Sequence, residues 1–158
     1  MQTSARTLVS LPSKCVIYLA PVHNQAIKGL IYSSYYKKSF PFHNDWELLS
    51  GMDGLFDNLS FPQATFAART FLDKKAKKVI RRVEDSVDDN MDDMLQNEKT
   101  TFIVNVQYRQ NATWQGTITW VEQNRTQHFR SAFEMLKLME QANQHGVTEV
   151  VHWDDPEE

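Results

Sequence analysis

The chain has 158 residues, 41% apolar and 23% charged, with nine Phe, five Tyr, four Trp and a formal net charge of -3. That is enough length and apolar side chain for one self-sufficient core, and too apolar a composition for a disordered chain. Cys15 is the only cysteine, which excludes an intrachain disulfide. The net negative charge also excludes indiscriminate nucleic-acid binding by the molecule as a whole.

In chain order, Met1 to Pro12 holds no apolar run of signal-peptide length. No stretch anywhere reaches the roughly 18 apolar residues needed to cross a bilayer. The expectation is a cytoplasmic protein with no membrane partner. Lys14 to Leu19 then reads as a strand, with Cys15 as a small core residue in an apolar run. Turn chemistry follows between Pro21 and Gln25, and a second strand is expected over Ile27 to Tyr32.

A helix is expected after Asn44. Asn44 and Glu47 have the spacing of a capping box, in which the Asn accepts from a first-turn amide and the Glu reaches back to the cap amide. Its predicted inward face is Trp46, Leu49, Met52 and Phe56.

Beyond Phe61-Pro62, apolar residues from Leu72 to Leu95 recur at helical spacing, which predicts a helical insert over about 62–98. Its first half carries Lys74, Lys75, Lys77, Lys78, Arg81 and Arg82. Its second half carries Glu84, Asp85, Asp88, Asp89, Asp92 and Asp93, an order opposed to the helix macrodipole. The basic half offers phosphates a positive stripe, but no aromatic residues for base stacking are interleaved with it. The acidic half lacks the glycine and terminal glutamate of a calcium-binding loop.

Thr101 to Tyr108 and Thr113 to Trp120 read as a hairpin, followed by a second helix opening at Ser131 with Glu134 three residues on. Its predicted inward face is Phe133, Leu136, Leu138, Met139 and Ala142. A last strand is expected over about 147–153, before an acidic tail at 154–158.

Sliding the chain by 87 residues lays Cys15–Asp53 over Phe102–Glu140 without a gap. Asn24/Asn111, Gly29/Gly116, Ile31/Ile118, Phe42/Phe129, Glu47/Glu134, Leu49/Leu136 and Met52/Met139 are identical. This is the pattern of an internal duplication. The fold class expected is α+β: a duplicated ββα unit with pseudo-twofold symmetry, its antiparallel sheet packed by helices and a long helical insert between the copies. The copies span about 14–59 and 101–143 of a single domain. Gly29 and Gly116 fall inside strands, where a bulge or a close backbone approach would call for glycine.

No residue set here has the spacing of a nucleophilic elbow, a phosphate loop or a metal site. The five histidines share no helical pair spacing, so no catalytic residue, metal or cofactor is assigned. Tyr108, Arg109, Trp114, Gln115 and Trp120 combine a cation, an amide and aromatics about one hairpin, a mixture typical of interface anchors. The expected function is therefore a non-enzymatic interaction or regulatory protein that binds a protein partner through its sheet and hairpin surface. One alternative is a nucleic-acid-associated regulator using Lys74 to Arg82. Another is an enzyme or small-ligand binder at the junction of the two copies.

The string Trp114-Gln115-Gly116, then Trp120, Phe129-Arg130-Ser131 and Glu134 resembles a group of small uncharacterised bacterial proteins with a Trp-Gln-Gly, Phe-Arg-Ser-x-x-Glu pattern. The resemblance covers mainly residues 102 to 142. It implies no established activity and carries over no catalytic residue.

Overall fold

The computed structural model describes residues 14–21, 27–64, 69–73, 99–109, 113–144, 152–154 and 156. Their elements run β1 (Lys14–Leu19), β2 (Gly29–Ser33), β3 (Lys38–Phe42), α1 (Asp45–Leu59), β4 (Thr100–Tyr108), β5 (Gln115–Trp120), β6 (Arg125–Phe129) and α2 (Ala132–Asn143). The strands form one antiparallel sheet in the order β3-β2-β1-β4-β5-β6, so the class is α+β. The expected insert helix lies almost wholly outside the described residues, as does most of the expected last strand. His152 and Trp153 are described, and they are exposed and outside any strand.

Each expected strand-strand-helix stretch contains a third strand that periodicity did not reveal. β3 carries Pro41, which cannot donate to a ladder, and β6 is polar except for Phe129. Both are edge strands, where a missing donor and a wet face are tolerated. The turns into them each end on a left-handed residue, Lys37 at φ 53° and Asn124 at φ 48°.

Alternation within the strands sends Cys15, Ile17, Leu19, Ile31, Phe102, Val104, Val106 and Ile118 to one face. Both helices pack on that face, α1 over β2 and β3 and α2 over β4 to β6, closing a single core. The close approach expected at the strand glycines is present. A Cβ on Gly29 would stand 1.8 Å from the Tyr18 carbonyl oxygen, and one on Gly116 2.0 Å from that of Asn105.

The helix caps match expectation in part. Asn44 Oδ1 accepts from the Glu47 amide at 2.9 Å and Ser131 Oγ from the Glu134 amide at 3.1 Å. The glutamates, however, reach one residue further back than a capping box requires. Glu47 accepts from the His43 amide at 2.8 Å, and Glu134 from the Arg130 amide at 3.2 Å.

The predicted inward faces need correcting. Leu48, Met52 and Phe56 form the buried stripe of α1, and Met135, Met139 and Ala142 that of α2. Trp46 is 76% exposed and Phe133 66% exposed. At about 100° per residue, a side chain two positions before Leu48 or Met135 points nearly the opposite way. Once the deeper stripe faces the sheet, the first-turn aromatic faces out.

Candidate functional site: the second sheet face and the hairpin end

The five hairpin residues expected to form one surface are divided by the structure. The β4–β5 register shifts between Val106 and Tyr108, so that Gln107 and Tyr108 are both exposed and Arg109 turns inward. A bulge of this kind re-aims a side chain. Here it buries a guanidinium: Arg109 Nε donates to the Pro62 carbonyl at 2.6 Å, and Nη1 donates to Asp57 at 2.8 Å and to Asp53 at 3.2 Å. The guanidinium also lies 5.6 Å from the Phe56 ring centroid. Arg109 thus ties the end of β4 to the last turns of α1 and to the segment after it.

The carboxylates of this cluster are more than half exposed, whereas the arginine side chain is 4% exposed. Burial, and then the Asp57 charge one helical turn away, push the Asp53 carboxyl above its ordinary range, opposed by Arg109. The cluster is a clamp whose buried partner is the cation.

Trp114 packs edge-to-face on Phe56, with centroids 5.6 Å apart and an interplanar angle of 78°. Trp120 is partly buried against the same core, and Gln115 is partly buried in β5. Of the five, only Tyr108 is openly exposed, beside Phe61 at a depression of about 300 Å³ floored by Pro62 and Arg109. Lys74, Lys75, Lys77, Lys78, Arg81 and Arg82 lie outside the described residues.

Among the described residues, no three His, Cys, Asp or Glu side chains gather as a metal site would require. Burial of Cys15 pushes its thiol up to about 12, which makes it a poor nucleophile.

The surface that the sequence reading overlooked is the other face of the sheet. Among the described residues no helix covers it. The central strands present Val16, Tyr18, Leu30, Tyr32 and Ile103 there, in mutual register, with Leu30 buried and the other four half-buried. Tyr18 packs on Leu30, and the Lys99 ammonium stands 5.1 Å from the Tyr18 ring centroid. Outward from this apolar centre come Ser39 and Pro41 on one side and Thr117, Thr119, Thr126 and His128 on the other. Lys14 shares the alternation of Val16 and Tyr18, and Lys28 that of Leu30 and Tyr32.

Charge is partitioned between the layers. None of the six strands contains an Asp or Glu, while α1 carries Asp45, Glu47, Asp53 and Asp57 and no cation. The signal was present in the sequence: Cys15 to Leu19 and Phe102 to Val104 are apolar on both faces of the strand, not on alternate residues. Strands of that kind belong to sheets covered on both sides.

No family model, no curated protein and no solved structure matches the chain. Among the described residues, no helix is long and apolar enough to cross a membrane.

Proposed function

We propose that this chain is a non-enzymatic binding protein that takes a protein partner on the open face of its sheet. The observation that carries the reading is the apolar centre Val16, Tyr18, Leu30, Tyr32 and Ile103, on strands whose opposite face is already filled by the core. An apolar, aromatic centre inside a rim of threonine and lysine has the anatomy of a protein interface. Lys14, Lys28 and Lys99 around it, with no carboxylate in any strand, favour a partner with an acidic rim. Among the described residues this face carries three lysines, fewer than the about 6 to 10 phosphate contacts that give a nucleic-acid complex its steep salt dependence. The expected hairpin surface contributes its exposed end, Tyr108, while Arg109 and Trp114 hold the scaffold.

The scaffold itself we take to be a duplicated βββα unit with a pseudo-twofold between β1 and β4. Residues 87 apart support this. Lys37 and Asn124 share a left-handed backbone, Gly29 and Gly116 share a close approach, and Asn44 and Ser131 both cap helices.

The test is capture of a partner by the full chain at about 50 and 200 mM salt. Tyr32→Ala is expected to weaken capture more than tenfold, as an aromatic anchor does, without lowering the melting temperature by more than a few degrees. Capture insensitive to Tyr32→Ala overturns the reading. Recovery of nucleic acid that is lost between the two salt concentrations would hand the function to the alternative.

A further inference from the structure

Beneath α2, on the helix side of the sheet and away from the open face, lies a pocket of about 230 Å³. Its floor is apolar, made of Phe102, Ile118, Trp120, Leu138 and Ala142. Its rim is Arg125, Gln127 and Gln141, which offer hydrogen-bond donors and no carboxylate. Among the described residues no side-chain hydrogen bond or ion pair engages these three. Among the acids of the β5–β6 turn and α2, Glu122 accepts from the Thr101 amide, Glu134 from Arg130 and Glu140 from Gln144.

The corresponding place in the first half shows what the pocket lacks. There Phe40 of β3 pairs with Ile31, and its ring lies so close to α1 that a Cβ on Gly51 would be 2.9 Å from it. An aromatic ring thus fills the space under α1. In the second half Gln127 pairs with Ile118 in the same register, and Gln127 is exposed. The ring is replaced there, and Leu138 of α2 stands where α1 has Gly51, so the space under α2 is walled differently and stays open beside Leu138.

We propose that this pocket binds a small amphipathic carboxylate, its phenyl-sized apolar body under α2 against Phe102, Ile118 and Leu138, and its anionic end at Arg125. The volume suits the class, since a cavity of about 150 Å³ accepts benzene. A lone guanidinium beside two amides selects an anion over a cation and favours the planar fork of a carboxylate. The site is independent of the partner surface proposed above, which lies on the other side of the sheet.

The experiment titrates the full-length ¹⁵N-labelled chain with 3-phenylpropionate and with its neutral amide, following the Trp120 indole N–H resonance. The Trp120→Phe variant identifies that resonance by its loss. The expected result is a saturable shift, with the acid bound about fivefold or more tighter than the amide. Arg125→Gln should abolish that preference. Gln127→Phe, which places a ring at the mouth of the pocket, should weaken binding at least about tenfold in a chain that still melts cooperatively. Both positions are exposed on an edge strand. No saturable shift, equal affinity for acid and amide, or unchanged binding in Gln127→Phe would each overturn the proposal.

Discussion

Replacing Arg109 by Met keeps an apolar stem against Phe56 and removes the charged fork. The bond to the Pro62 carbonyl, 2.6 Å long and buried, is the largest loss, since a hydrogen bond from a charged donor contributes about 1.5–3 kcal/mol. Asp53 and Asp57 are 53% and 63% exposed and regain water, so each contributes only about 0.5 kcal/mol. The expected destabilisation is about 3 kcal/mol, or a melting temperature lower by about 8 °C for a chain of this length. Urea denaturation measures it, and a double-mutant cycle with Asp57→Asn should give a coupling under about 1 kcal/mol. Asp53→Asn should cost less than Asp57→Asn, because burial and the Asp57 charge already disfavour ionised Asp53. If Arg109→Met melts with the wild type, Arg109 is not a clamp. A variant that keeps its stability and loses only partner capture would return Arg109 to the interface.

Gly116→Ala should prevent folding or cost more than about 3 kcal/mol, because the Asn105 carbonyl cannot retreat without breaking the β4–β5 ladder. Gly54→Ala, with open space around it inside α1, should instead stabilise by about 0.5–1 kcal/mol in the same denaturant assay. Asn44→Ala and Ser131→Ala should each cost about 1 kcal/mol. The side-chain bond from Arg130 holds the Glu134 carboxyl below its ordinary range, so its contribution is present above that range and vanishes as pH falls through the depressed value. Wild type and Glu134→Gln should therefore differ in stability at neutral pH and converge in acid. Cys15, its thiol pushed up to about 12, should react with a disulfide reagent only as fast as the chain unfolds; rapid labelling of the native protein would contradict its burial.

The local signals in the sequence reached the strands β1, β2, β4 and β5 and both cap residues, because alternation and capping are encoded within a few positions. β3 and β6 were not legible. An edge strand needs no apolar alternation, and Pro41 argued against one. Helix existence was legible, and so were Met52, Phe56, Met139 and Ala142 of the buried stripes; Leu48 and Met135 were not, since Trp46 and Leu48 both look like core residues and only contact with the sheet separates them. Arg109 and Trp114 read as surface anchors because composition cannot show a bulge, and the bulge between Val106 and Tyr108 is what turns Arg109 inward. The apolar second face could have been read from Val16, Tyr18 and Ile103, which make the central strands apolar on both sides. The pocket under α2 depends on Gln127 standing where the first half has Phe40, a difference visible only once the β3 and β6 registers are known.

The central claim is that the open sheet face receives the partner, and site-specific photo-crosslinking in living cells tests it most directly. A photoreactive phenylalanine analogue placed at Tyr32 or Thr117 on the open face, and as a control at Gln141 on the helix side, reports which surface meets another chain. The expected result is a discrete protein adduct from Tyr32 and Thr117 and none from Gln141. Adducts from Gln141 alone, or none from the open-face positions in variants that fold normally, would contradict the account.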